Sequence, residues 1–310
     1  GEALFPAAGY VDVMLAAGQA LFPDKVLELE NVGFHKALFL PPQGTVQLQT
    51  VFVSDRGRIE VSSRLRNSSE EWVLRASAVL RAVDVARPGK LQKLCQKNAK
   101  LRSPDISAFY EELETAGAVT YGPAFATIQS LEVDSHNAVG VIAADESCRS
   151  TIDKYVAHPA LLDGCMQTLS GQLWVDSDVA AEHQLALLPT GIARVRCYGR
   201  LPADVTANIS IGEGSSFEQG RGKIDIAGTD GAILLSVSGL RAKEMPQSLA
   251  VKEDAQTPPD FIVEEMDLVD LDLSSRETPG RWLVLGEQTT QTSGLIEALQ
   301  KQGANVTRLG

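Results

Sequence analysis

The chain has 310 residues, with 28 Lys and Arg against 40 Asp and Glu, hence a formal net charge of −12. That acidic balance argues against nonspecific nucleic-acid binding and against an anionic membrane surface, since both need basic patches. No apolar run approaches the roughly 20 residues of a spanning helix; 44% apolar and 22% charged residues are ordinary for a soluble globular protein, and the length allows two cores of roughly 100–150 residues each.

Gly1 to Pro6 read as mid-domain sequence, so the chain is expected to begin inside a longer polypeptide. Residues 7–22 predict a mostly apolar helix buried nearly all round, with Pro6 suited to its first turn and Pro23 as its stop. Strand-like runs follow near 26–40, 45–54, 58–66 and 72–84, separated by Gln43-Gly44, Asp55-Arg56-Gly57 and Asn67-Ser68-Ser69 as turns. A helix followed by an antiparallel meander is an α+β signature. Residues 85–104, with Arg87-Pro88-Gly89-Lys90 and a Lys/Gln-rich stretch, read as a linker with some helix. A short helix is expected over 105–116, with Asp105 near its start, then strands at 125–134 and 138–144. A second mostly apolar helix runs from Pro159 to Trp174, followed by strands near 185–198, 205–211, 221–228 and 232–242. The chain thus divides into a first helix-plus-sheet unit (1–84), a linker (85–104) and a second such unit (105–245). An acidic, proline-bearing linker (246–280) comes next. Finally, 281–310 opens with a buried parallel strand, Arg281 to Gly286, and a helix near 293–302, the start of a Rossmann-like βαβ unit.

The four cysteines, Cys95, Cys148, Cys165 and Cys197, form no CxxC and read as reduced thiols of a cytoplasmic protein. The NxS/T matches at Asn67, Asn208 and Asn305 are expected to be chance. GxSxG, P-loop, HExxH and EF-hand patterns are absent, and neither Gly286 nor Gly212-Glu213-Gly214 continues into GxGxxG. No nucleotide cofactor and no metal are predicted.

The strongest local cluster is His158-Pro159-Ala160-Leu161-Leu162-Asp163-Gly164-Cys165-Met166-Gln167. Asp163 and Gln167 lie four apart and share one helix face. A carboxyl in apolar surroundings is costly to ionise, so the pKa of Asp163 should rise, as a general acid requires; the bland alternative is a helix cap or a bond to backbone. Cys165 is too far along the helix from His158, about 10 Å, to form a nucleophile–base pair with it, and reads as a small buried residue. His158, before a proline, reads as structural, and His35, His136 and His183 as surface or core residues. Tyr121-Gly122-Pro123-Ala124-Phe125 is an aromatic–turn–aromatic element. Its phenol either hydrogen-bonds a ligand or packs in a core.

Together these segments resemble the dehydratase domain of modular type I polyketide synthases. Gly1 to Pro6 is similar to the GxxxxP of the family's HxxxGxxxxP. Tyr121 to Phe125 matches YGPxF, and Asp163 to Gln167 matches DxxxQ. Leu188-Pro189-Thr190-Gly191-Ile192 resembles the LPxxI segment, and Asp230-Gly231 through Gly239-Leu240 the last hairpin. The resemblance covers about residues 1–245; 281–310 resemble the structural half of a ketoreductase domain. The histidine of HxxxG would lie ahead of Gly1, and none of the four histidines of this sequence matches it. The chain alone is therefore expected to be inactive.

The resemblance implies a double hotdog: two long buried helices, each wrapped by a curved antiparallel sheet. It implies elimination of water from a 3-hydroxyacyl thioester carried on the phosphopantetheine arm of an acyl carrier protein, with no cofactor bound directly. Asp163 would be the catalytic acid, while Gln167, Tyr121, Gly1 and Pro6 would bind substrate or orient the acid. The Gly1 N–H would polarise the thioester carbonyl. The partners implied are the carrier protein, neighbouring synthase domains and a second copy in a homodimer. Double-bond shifters, cyclases and non-catalytic scaffolds share this scaffold and remain alternatives. Carrier proteins are usually acidic, so docking on an acidic domain relies on tethering or on a local basic patch. Arg194, Arg196 and Arg200 are either that patch or a solvated surface.

Overall fold

The computed structural model describes residues 3–66, 71–91, 102–115, 120–134, 136–175, 187–211, 220–244, 281–285, 296–297, 300–301 and 305–309. Gly1, the linker at 246–280 and most of the expected helix near 293–302 lie outside them.

The first unit starts with β1 (Ala3–Leu4) and α1 (Ala7–Leu21), then β2 (Val26–Phe34), β3 (Phe39–Leu40), β4 (Val46–Val53), β5 (Arg58–Leu65) and β6 (Val73–Val83). The second has α2 (Ile106–Thr115), β7 (Ile128–Val133), β8 (Asn137–Ala143), α3 (Glu146–Arg149), a 3₁₀ turn at Ile152–Lys154 and α4 (Pro159–Val175). Then come β9 (Leu187–Cys197), β10 (Asp204–Ser210), β11 (Arg221–Gly228) and β12 (Ile233–Glu244). Last, β13 (Arg281–Leu285) and β14 (Asn305–Leu309) pair in parallel.

The two units do not keep separate sheets. One ten-stranded antiparallel sheet runs β4-β5-β6-β2-β9-β12-β11-β10-β8-β7, and its halves join where β2 meets β9. At this seam Gly33 faces Gly191 and Val32 faces Ile192. A Cβ on Gly191 would sit 2.7 Å from the Val32 carbonyl oxygen, so the seam closes only with glycine there. The same seam pairs Glu28 with Arg196 and Glu30 with Arg194 across the strands.

Helix α1 lies on β2, β4, β5 and β6, α4 lies on β7, β8, β10 and β11, and the two helices touch each other. Both are buried on almost every side, as their apolar sequences require. In α4, a side chain on Gly164 would overlap the hydroxyl oxygen of Thr127, the residue before β7, so Asp163 lies beside a tight contact between α4 and the segment entering β7. Pro6 is the N-cap of α1, with extended backbone, rather than a residue of its first turn.

One sequence expectation is corrected. The run at 26–40 is not one strand. It breaks after Phe34, where the His35 N–H donates to the Arg75 carbonyl and the Arg75 guanidinium donates to the Ala37 carbonyl at 2.6 Å. Of the linker at 85–104, residues 92–101 lie outside the described residues; at its two ends Lys90 and Arg102 form isolated bridges to Ala232 and Val133.

Candidate functional site

Strand β7 ends the sheet and carries a bulge between Ile128 and Ser130, which leaves Gln129 and Ser130 both facing outward. Helix α2 packs against this strand, and its stripe Ile106, Phe109, Tyr110, Leu113 has helical spacing. Phe109 and Leu113 are buried in the core, while Tyr110 turns its hydroxyl toward α4.

Three side chains join there. The Tyr110 hydroxyl donates to Gln167 Oε1 at 2.8 Å, and Gln167 Nε2 donates to Asp163 Oδ2 at 2.7 Å. Gln167 Nε2 also donates to the Phe125 carbonyl at 3.2 Å, and the Ile128 N–H donates to the Tyr110 oxygen at 3.3 Å. The expected pairing of Asp163 with Gln167 across one helical turn is thus present. Sequence reading passed over Tyr110, although an inward-facing phenol on the apolar stripe of α2 was a signal for it.

Asp163 lies deep in the protein yet keeps some accessible surface. Burial pushes its carboxyl from 3.8 up to about 6, partly offset by the Gln167 hydrogen bond. Burial also pushes up the phenols of Tyr110 and Tyr121 and the thiol of Cys165, and the Asp163 charge adds to all three shifts. All three stay neutral donors or spectators near pH 7. Tyr121 therefore belongs to this neighbourhood; its ring lies 6.0 Å from that of Tyr110, edge on. The turn beside it forms as expected, with the Gly122 carbonyl accepting from the N–H groups of Phe125 and Ala126.

The start of α4 is held from the other unit. Asp12 of α1 is buried and accepts from the N–H groups of Val156 at 2.9 Å and Ala157 at 2.8 Å. Burial raises its pKa from 3.8 to about 6 against these two bonds. Arg200 donates to the carbonyls of Asp153 at 2.8 Å and Tyr155 at 3.0 Å and to Gln19 at 3.1 Å. His158 follows this clamp. Its Nδ1 accepts from the Ala160 N–H at 3.3 Å, its ring stacks edge-on against Tyr155 at 4.5 Å, and burial lowers its pKa. It is a neutral helix-starting residue, as its place before a proline suggested.

Of the other expected site residues, Pro6 caps α1 and its carbonyl accepts from Gly9; no hydrogen bond among the described residues ties it to Asp163. Gly1 lies outside the described residues. The arginine patch is not a free basic surface: Arg194 pairs with Glu28 and Glu30 at 3.5 Å, Arg196 pairs with buried Glu28, and Arg200 serves the clamp above. Arg194 and Arg196 are engaged by acids that β2 presents in register with β9, although the Arg194 side chain stays 51% exposed. Among the described residues no cluster of His, Cys, Asp and Glu is arranged to hold a metal ion, and no helix is long and apolar enough to cross a membrane.

Residues 90–249 match the family described as polyketide synthase dehydratase N-terminal domain, and residues 1–65 that described as polyketide synthase dehydratase domain. A mycocerosic acid synthase-like polyketide synthase of Mycolicibacterium smegmatis is 26% identical over 99% of this chain, which spans 15% of that protein. A phthioceranic/hydroxyphthioceranic acid synthase of Mycobacterium tuberculosis is 28% identical over 77% of the chain, which spans 11% of it. Among solved structures, an inactive aspartate-to-asparagine variant of the CurK dehydratase is 25% identical with a TM-score of 0.68, covering 81% of this chain and 86% of that one. GphF dehydratase 1, at 22% identity and a TM-score of 0.66 over 78% of this chain and 85% of that one, shares the fold.

Proposed function

This chain belongs to the polyketide synthase dehydratase family, and we propose that it removes water from a 3-hydroxyacyl thioester carried by an acyl carrier protein, with Asp163 as the proton donor. The observation that carries the reading is the hydrogen-bonded, desolvated carboxyl of Asp163, raised to about 6. Such a group is still partly protonated near neutrality, where a free carboxyl has lost its proton almost completely, and it gives the proton up when a better base forms beside it.

In the proposed reaction a base takes the α-proton of the thioester. By family resemblance this base is a histidine four residues ahead of Gly1. The C–H electron pair becomes the α,β double bond, the Cβ–O bond breaks, and the Asp163 proton joins the departing hydroxyl to give water. Asp163 is left as a carboxylate, which the Gln167 N–H stabilises. Tyr121, neutral and close to Asp163, is placed to hold the substrate hydroxyl or acyl chain. The inactive aspartate-to-asparagine and histidine-to-phenylalanine variants of the CurK dehydratase agree with this division of labour. We also propose that residues 281–310 open a ketoreductase-like structural subdomain; the parallel pairing of β13 with β14 supports it.

The test incubates the full-length polypeptide with a 3-hydroxyacyl thioester on its carrier protein and follows loss of one water by mass spectrometry, beside Asp163→Asn. Dehydration that vanishes in the variant is expected. Undiminished dehydration by the variant would remove Asp163 from the mechanism.

A further inference from the structure

The Gln167 amide has two ends of similar shape, and only one of them suits a proton donor beside it. An amide N–H facing Asp163 leaves the carboxyl proton on the far oxygen, free to reach a substrate. An amide oxygen facing Asp163 would accept that proton and hold it. Backbone groups decide the orientation. The Ile128 N–H can only donate, so it takes a lone pair of the Tyr110 hydroxyl and leaves the hydroxyl proton for Gln167 Oε1. The Phe125 carbonyl can only accept, so it requires Gln167 Nε2 on its side. Nε2 then donates its second hydrogen to Asp163 Oδ2.

We propose that Tyr110 is a positioning residue that locks the Gln167 amide with its N–H toward Asp163, so that the acid's proton sits on the oxygen facing the substrate. The inference rests on the reading of Asp163 as proton donor. The chain of donors has one direction: Ile128 N–H to Tyr110, Tyr110 to Gln167, Gln167 to Asp163. It is anchored on β7 and the turn before it, at the sheet edge where a bulge shifts the strand. Removing the hydroxyl leaves Gln167 Oε1 without its donor and the amide held in this sense by the Phe125 carbonyl alone, at 3.2 Å; in the fraction of molecules where the amide makes a half-turn, its oxygen captures the Asp163 proton. The other titratable groups near Asp163 are Tyr121 and Cys165, both neutral near pH 7, so neither supplies a competing charge.

The experiment compares wild type, Tyr110→Phe, Gln167→Leu, the double variant and Asp163→Asn in the full-length polypeptide, measuring dehydration of a carrier-bound 3-hydroxyacyl thioester across pH. Tyr110→Phe should lower kcat by about tenfold, a part of what a general acid contributes, with KM nearly unchanged. Its activity loss at high pH should move to higher pH, because a turned amide stabilises protonated Asp163. Adding Tyr110→Phe to Gln167→Leu should cost nothing further. Replacing Tyr110 by 3-fluorotyrosine keeps the shape, makes the hydroxyl a stronger donor, and should move the same limb to lower pH; this arm decides the matter if Tyr110→Phe does not fold. An unmoved pH limb in both Tyr110 substitutions, or a loss that adds in full to that of Gln167→Leu, would overturn the role of Tyr110 while Asp163→Asn remains inactive. Full activity in Asp163→Asn would overturn both readings.

Discussion

Replacing Asp163 by Asn should make the fold more stable at neutral pH while abolishing dehydration. In the folded chain the carboxyl titrates at about 6 instead of 3.8, so between these values the folded state holds a proton that the unfolded state has lost. Unfolding free energy therefore falls as pH rises through this window, and above pH 6 the ionised group costs about 3 kcal/mol. The accessible surface that Asp163 keeps trims the realised figure to about 2–3 kcal/mol. Asparagine keeps the shape and an oxygen for the Gln167 N–H but never ionises. Urea unfolding of the 310-residue chain should give equal stabilities for wild type and variant near pH 4 and a gain for Asp163→Asn at pH 8. Asp12 titrates in the same range but is common to both proteins and cancels in the difference. A variant with no gain at pH 8, or with the same gain at pH 4, would show that ionisation of Asp163 does not burden the fold. Such a burden is what a stability–activity trade-off at a proton donor requires.

Other substitutions probe the supports. Asp12→Ala should be less stable than Asp12→Asn by about 2–4 kcal/mol at every pH, because only alanine leaves the buried N–H groups of Val156 and Ala157 without an acceptor; denaturant titration of the pair reads this directly. Glu28→Ala should cost about 2 kcal/mol, between an exposed and a fully buried ion pair, since the Glu28 side chain is 6% exposed and that of Arg196 29%. A double-mutant cycle with Arg196→Met that gave a coupling below about 0.5 kcal/mol would count against a register lock at the seam. Gly191→Ala should cost about 1–3 kcal/mol through overpacking against Val32 and Arg241, seen as a lower melting temperature.

Much of this was legible along the chain because the signals are local. Apolar runs without a polar face marked α1 and α4 as buried helices, and turn residues cut the strands near their true ends. The spacing of Asp163 and Gln167 placed them on one face of α4. What escaped notice depends on groups far apart in sequence. Tyr110 meets Gln167 across 57 residues, and nothing in α2 alone states what its phenol touches. Arg194 and Arg196 alternate along β9 in the same way as Glu28 and Glu30 along β2, but that complementarity shows only once the strands are known to pair across 168 residues. Read alone, the arginines suggested a docking patch or a solvated surface; read with their partners, Arg194 and Arg196 face the acids of β2 in register. The break after Phe34 likewise coincides with a contact from a neighbouring strand, the Arg75 guanidinium on the Ala37 carbonyl, and with no turn residue in the run itself.

The placement of these contacts separates the tasks of the two units. Tyr110, Ile128, Asp163 and Gln167 all belong to the second, so the direction of the donor chain is set within α2, β7 and α4. The first unit enters through Asp12, which reaches from α1 to the segment just before α4, and through the acids of β2 at the seam. On the proposed mechanism the base comes from the segment leading into α1 and the acid from α4. The distance between them is therefore governed by the α1–α4 contact rather than by either helix alone. A buried carboxylate bonded to two backbone N–H groups suits that task better than apolar packing, which tolerates sliding: its bonds have fixed length and direction, and breaking them leaves polar groups without partners. The raised pKa of Asp12 is the electrostatic cost of that fixity, and it is the same cost, from the same burial, that keeps Asp163 ready to give up a proton.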